Sequence, residues 1–145
     1  MRIAGLEIDG FGRYADERID DLPPGLVVLH GPNESGKSTL LAFIRAVLFG
    51  FPRRGGRENL YEPLRGGRHG GRVQLASANG ALAVERHKGA RGGVKLHFDD
   101  GRVGGAPELA ELLAHVDDAV FKNVFANTGG AGVCGGCGAA GGGCG

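Results

Sequence analysis

Leu26-Val27-Val28-Leu29-His30-Gly31-Pro32-Asn33-Glu34-Ser35-Gly36-Lys37-Ser38-Thr39-Leu40 is the stretch on which the fold turns. It opens with four consecutive apolar residues, the mark of a strand buried on both faces. It then enters a glycine-bracketed loop, Gly31 to Ser38, that fits G-x-x-x-x-G-K-[ST]. From Lys37 to Phe49, Leu40, Phe43, Ile44, Val47 and Leu48 recur at helical spacing. Gly50 and Pro52 end that helix in the order expected of a C-terminus. Residues 26–50 thus read as strand, loop, helix, and the chain as an α/β protein of the P-loop kind.

The loop carries a specific chemistry. Gly31 and Gly36 let backbone N–H groups converge without Cβ obstruction. The helix beginning near Lys37 turns its positive end to the same spot. Lys37 neutralises β- and γ-phosphate charge, and the Ser38 hydroxyl is placed to ligate Mg²⁺. Thr39 follows, where a hydroxyl reaches the α-phosphate side. The expected ATP-Mg²⁺ site is therefore Gly31, Asn33, Glu34, Ser35, Gly36, Lys37, Ser38 and Thr39, with Ser38 at the metal.

Outward from the loop, Leu6 and Ile8 alternate with Glu7 and Asp9, a strand with one wet face. Gly10 and Gly12 bracket Phe11 as a turn, and Tyr14 to Ile19 reads as a weaker strand. Beyond the helix, residues 51–71 form a long Gly/Arg-rich loop, a size that tends to be functional. Val73 and Leu75, Asn79-Gly80, then Leu82 and Val84 make a hairpin with a type I′ turn. Val94, Leu96 and Phe98 continue an antiparallel meander. Pro107 starts a helix with Leu109, Leu112, Leu113 and Val116 on one face. Asp117 caps another that carries Val120, Phe121, Val124 and Phe125.

With 145 residues, 41% hydrophobic and 23% charged, the chain is long enough for one domain and one core, and fits neither a fibrous nor a disordered class. Of its 30 glycines, ten lie in residues 129–145 together with all three cysteines. The expected division is an ATP-binding lobe over 1–128 and a low-complexity, disordered tail over 129–145. Residues 53–102 hold 11 basic and 5 acidic side chains within a chain of net charge +1. Such a block suits either phosphate contacts or a solvated face. No apolar run reaches the roughly 20 residues of a membrane span. The N-terminus is no secretory signal, and the cytoplasm is the expected setting.

Several segments narrow the reading to a family. Ile3-Ala4-Gly5-Leu6-Glu7-Ile8-Asp9-Gly10-Phe11-Gly12, the Asn33-Glu34 pair inside the loop and Leu48-Phe49-Gly50-Phe51-Pro52 after the helix are narrower than the loop itself. Tyr61-Glu62-Pro63-Leu64, Val84-Glu85-Arg86 and Phe121-Lys122-Asn123-Val124-Phe125-Ala126 add to them. Over residues 1 to about 126 the chain resembles the N-terminal ATPase lobe of SMC/SbcC-type ABC ATPases, nearest the bacterial YhaN-like AAA family of DNA double-strand-break repair type. The resemblance implies a split ATPase, in which a coiled coil and a C-terminal lobe supply the signature motif and Walker B acids. It also implies an ATP-dependent head dimer, DNA and an SbcD-type nuclease subunit as partners, and no membrane.

The sequence departs from that pattern after residue 126. No coiled coil, LSGG-type signature, Q-loop glutamine or C-terminal lobe follows, as expected of a fragment or a break in reading frame near Asn127. Cys134, Cys137 and Cys144 fall short of a two-pair zinc spacing. Val94 to Asp100 superficially resembles a Walker B strand, but Lys95 and His97 interrupt it, and a hairpin ending in an Asp-Gly turn reads better. His30 either lines the site or faces solvent. His69, His87, His97 and His115 show no ligand spacing. Phe11 and Tyr14 suit the adenine or the core, and Arg13 a phosphate or the surface. Two other readings remain: a self-contained P-loop NTPase or kinase using Asp99 or Asp100, and a non-enzymatic nucleic-acid module built on the basic block.

Overall fold

The computed structural model describes residues 1–32, 36–53, 61–89 and 93–114. The N-terminal alternation becomes β1 (Arg2–Phe11), which hairpins through Gly12 and Arg13 into β2 (Tyr14–Ile19). The helix after the loop is α1 (Lys37–Phe49). The meander follows as β3 (Gly70–Ser77), β4 (Gly80–His87), β5 (Lys95–Phe98) and the two-residue β6 (Val103–Gly104), then α2 (Ala106–Leu112). These strands form one sheet in the order β2-β1-β3-β4-β5-β6, antiparallel throughout.

Period-2 patterning decides the two faces. Leu6, Ile8, Val73, Leu75, Leu82, Val84 and Leu96 point to one side and are buried. α1 covers them with Leu40, Phe43, Ile44, Val47 and Leu48. On the opposite face a row of alternating charge crosses five strands, because Arg18, Glu7, Arg72, Glu85 and Lys95 lie opposite one another in register. Arg18 Nη2 lies 2.8 Å from Glu7 Oε1 and Arg72 Nε 2.9 Å from Glu85 Oε2. Opposite charges placed directly across strands stabilise pairing modestly, and they keep this face wet while α1 takes the other.

The apolar run Leu26–Leu29 does not become the doubly buried strand its composition suggests. Leu22 N–H still bonds to the Ala4 carbonyl at 2.9 Å, and there the chain leaves the sheet. Residues 26–31 adopt no regular structure, with Leu26 92% and Val28 72% exposed. The physical reason is the absence of neighbours. A strand buried on both faces needs a ladder on each edge and cover above and below, and none of the described elements offers it either.

The hairpin at Asn79-Gly80 forms, but not with a type I′ turn. Ser77 pairs with Gly80, so Ala78 and Asn79 are the central residues, and neither takes the positive φ that type I′ demands. Ser77 Oγ instead accepts a hydrogen bond from Asn79 N–H at 3.2 Å. Lys95 to Phe98 is the polar-alternating strand expected, closed by the Asp100-Gly101 turn. The helix capped by Asp117 and the tail after Gly129 lie outside the described residues.

Candidate nucleotide-binding site

The start of α1 is where the loop chemistry converges. Gly36 precedes the helix with φ 95° and ψ 10°, a left-handed conformation natural to glycine. Among the described residues no side chain caps this end and no acid stands in the first turn. No described side chain therefore takes the amides there or neutralises the positive end of the helix dipole. The Lys37 ammonium folds back over the loop, donating to the Gly31 carbonyl and, at 3.3 Å, to the Pro32 carbonyl. Ser38 is exposed and Thr39 half-buried. Gly31, Gly36, Lys37, Ser38 and Thr39 therefore gather at one end of α1. Asn33, Glu34 and Ser35 lie outside the described residues.

The β1–β2 turn holds that end in place. Gly12 has room for no side chain, since a Cβ there would lie 2.9 Å from Thr39 Cγ2. Its N–H donates to the Tyr61 carbonyl at 2.7 Å, and its carbonyl accepts from Leu64 N–H at 2.9 Å. Residues 61–64 are thereby strapped onto the turn through the backbone. Arg13 is exposed beside Gly36, with Cδ 3.1 Å from where a Gly36 Cβ would stand. The Tyr14 hydroxyl donates to the Gly36 carbonyl at 3.2 Å.

Phe11 is a core residue and does not reach a nucleotide. It is fully buried, its ring 5.5 Å from Phe43 edge-on and stacked at 5.5 Å on Tyr61. His30 is exposed. Asp99 and Asp100 stand at the far end of the sheet. Asp99 accepts from Ala81 N–H at 3.1 Å, and Asp100 pairs with Arg102 at 2.6 Å. The six residue steps from Ala81 to His87 put them about 20 Å along β4 from the end where Gly10 and Gly12 meet the loop. The structure does not bring these acids to Lys37, so both serve their turn.

The basic block is also divided. Arg53, Arg65 and Arg68 are exposed, Arg72 is spent on Glu7 and Glu85, and Arg102 lies over the Phe98 ring at 4.8 Å. Arg86 is half-buried beside Gly50, and burial pushes its guanidinium pKa down. Burial alone would raise the Glu85 carboxyl, but the Arg72 guanidinium, with His97 and His87, outweighs it and holds Glu85 below the usual carboxylate range. One close pair had no signal in the sequence. His87 Nε2 meets Asp9 Oδ2 at 2.6 Å across β3, where Gly70 presents no side chain between them. Among the described residues no group of three or more His, Cys, Asp or Glu forms a metal site, and no helix is long and apolar enough to cross a membrane.

A glycine-kinked loop, a helix whose uncapped first turn reads Lys-Ser-Thr, and a sheet packed on that helix are the parts of an ATPase-type α/β domain. Residues 1–136 match the family described as AAA domain, and the chain belongs to it. It is 31% identical over 126 residues to the uncharacterized protein YhaN of Bacillus subtilis strain 168, covering 86% of this chain and 13% of that protein. It is 44% identical over 48 residues to the chromosome partition protein Smc of Lactiplantibacillus plantarum, covering 33% of this chain and 4% of that protein. The chain thus spans a small fraction of the length of the relatives it matches.

Proposed function

We propose that residues 1–128 are the ATP-Mg²⁺-binding N-terminal lobe of a split, SMC/SbcC/YhaN-like ATPase head, and 129–145 a segment outside that lobe. The observation that carries this reading is the uncapped N-terminus of α1, with the left-handed Gly36 behind it and Lys37 folded over the loop. Gly31, Asn33, Glu34, Ser35, Gly36, Lys37, Ser38 and Thr39 hold the nucleotide. The site suits that group: the helix end offers amides to anionic oxygens, and the Lys37 ammonium stands beside it. Ser38 is the residue whose hydroxyl would hold Mg²⁺. The metal supplies charge neutralisation between β- and γ-phosphates.

The exposed Leu26–Leu29 run supports a lobe that awaits a neighbour. In the complete head that neighbour is a C-terminal lobe, which brings the signature and Walker B groups. The lobe alone binds ATP and turns it over feebly. ATP-dependent pairing of heads, DNA and an SbcD-type nuclease subunit belong to the complete protein in this reading.

Calorimetric titration of ATP-Mg²⁺ into the chain tests it. Binding in the micromolar range is expected, weakened at least about 100-fold by Lys37→Ala, since each 1.4 kcal/mol is tenfold and a lysine beside phosphates contributes roughly twice that. Unchanged affinity in Lys37→Ala would refute the assignment.

A further inference from the structure

Tyr14 stands against the loop residue that has no space for a side chain. A Cβ on Gly36 would overlap the Tyr14 hydroxyl and lie 2.9 Å from its Cζ. The Gly36 carbonyl accepts from the Tyr14 hydroxyl at 3.2 Å and from Leu40 N–H at 2.9 Å. Two donors thus use its two lone pairs. A trans peptide carries C=O and N–H on opposite edges of one plane, and none of the described peptides is cis. With the Gly36 carbonyl drawn into the helix, the Lys37 N–H points outward along the axis, where a phosphate at the helix end would accept from it.

We propose that Tyr14 is a positioning residue for the nucleotide: its hydroxyl locks the Gly36–Lys37 peptide so that the Lys37 amide faces the phosphate. This rests on the reading above that the loop binds ATP. Tyr14 can do so because it does not belong to the loop. It is the first residue of β2, paired with Phe11 of β1, so the sheet lends its rigidity to the peptide. Leu40 N–H alone would hold the carbonyl from one direction only, and the phenol supplies the second. The role is set by the hydroxyl, with the ring as a wall beside Gly36.

The chain holds two tyrosines, Tyr14 and Tyr61, and no tryptophan, so its intrinsic emission reports these two residues alone. Inorganic triphosphate with Mg²⁺ is the probe, because it carries the phosphates without adenine absorbance. Wild-type chain is expected to show a saturable change in tyrosine emission, kept in Tyr61→Phe and lost in Tyr14→Phe. Calorimetry is expected to give Tyr14→Phe an affinity about fivefold weaker, the worth of one neutral hydrogen bond. Tyr14→Ala, which also removes the wall, is expected to be weaker still. Titrations run well below the thermal midpoint count only folded chain, so a merely structural Tyr14 would lower the midpoint and leave the affinity alone. Wild-type affinity in Tyr14→Phe overturns the proposal, and with Lys37→Ala still defective the ATP site stands. If wild-type chain binds neither triphosphate nor ATP, the site itself is wrong and the role of Tyr14 falls with it.

Discussion

Leu26→Asp separates two accounts of the apolar run before the loop. In the structure Leu26 is 92% exposed and contributes almost no burial. Replacing it with a charged residue in the isolated chain therefore changes unfolding free energy by no more than about 0.5 kcal/mol, as for an ordinary surface position. Were the run a strand buried on both faces, the same change would forfeit about 1.5–3 kcal/mol of leucine burial. It would add several kcal/mol for desolvating a carboxylate. Against a total stability of roughly 5–15 kcal/mol, such a variant would be largely unfolded. Urea denaturation followed by circular dichroism measures the difference, with the slope checked for a common unfolded state. Leu82→Asp serves as the buried control, since Leu82 lies in the sheet core under α1. A loss above about 2 kcal/mol in Leu26→Asp, approaching that of the control, would refute the claim that this run is uncovered. The substitution should also raise solubility, because four exposed apolar residues in a row invite pairing between copies.

Three further outcomes follow from the sheet. Glu85 has its folded pKa depressed, so its pairing with Arg72 stabilises the fold above the unfolded value near pH 4.3 and is lost as pH falls through the folded value. Glu85→Gln should flatten the acid limb of stability against pH below about pH 4.3 and leave its shape near neutrality alone, as read by thermal midpoints across a pH series. Gly71→Ala should cost about 2–3 kcal/mol, because the new Cβ would strike the Glu7 carbonyl and lie 3.1 Å from Ile8 Cα in β1. Gly89→Ala, with no atom of the described residues within 4 Å of the new Cβ and no positive φ, should be neutral or stabilise by up to about 1 kcal/mol in the same urea assay.

Elements that bury a face on a partner within the described chain were legible in the sequence. β1, β4 and α1 each carry a periodicity that the core then uses, and α1 runs from Lys37 to Phe49 as its spacing demands. What escaped depends on who the partner is. Leu26–Leu29 states only that the run favours cover, and pattern cannot say whether a neighbour is present to give it. The strap of residues 61–64 left no apolar signature because it works through the backbone of Gly12, with Tyr61 itself at φ 45°. The Asp9–His87 contact depends on a side chain missing at Gly70. That dependence shows only once β1, β3 and β4 are in register. For the site, the motif set Lys37 and Ser38 at the start of a helix, and α1 begins there. The support from Tyr14 was invisible because it comes from a strand 22 residues away.

The loop is held unequally on its two sides, and this bears on how firmly it takes a ligand. Its C-terminal side is gripped by the sheet, through Gly12 against Thr39 and Tyr14 on the Gly36 carbonyl. Its N-terminal side continues from an exposed run, and among the described residues the polar contacts there are those of the Lys37 ammonium with the Gly31 and Pro32 carbonyls. That ammonium is the same group the proposed reading assigns to the phosphates. A bound nucleotide therefore competes with the internal contact for one cation. When a binding-competent arrangement is only part of the population, apparent affinity drops by that fraction, and a neighbour that fixes the arrangement first restores it. Covering Leu26–Leu29 is thus expected to tighten ATP without touching any residue of the loop. In the proposed reading, the route by which a second lobe would govern the nucleotide then lies in the exposed apolar run that precedes the glycines.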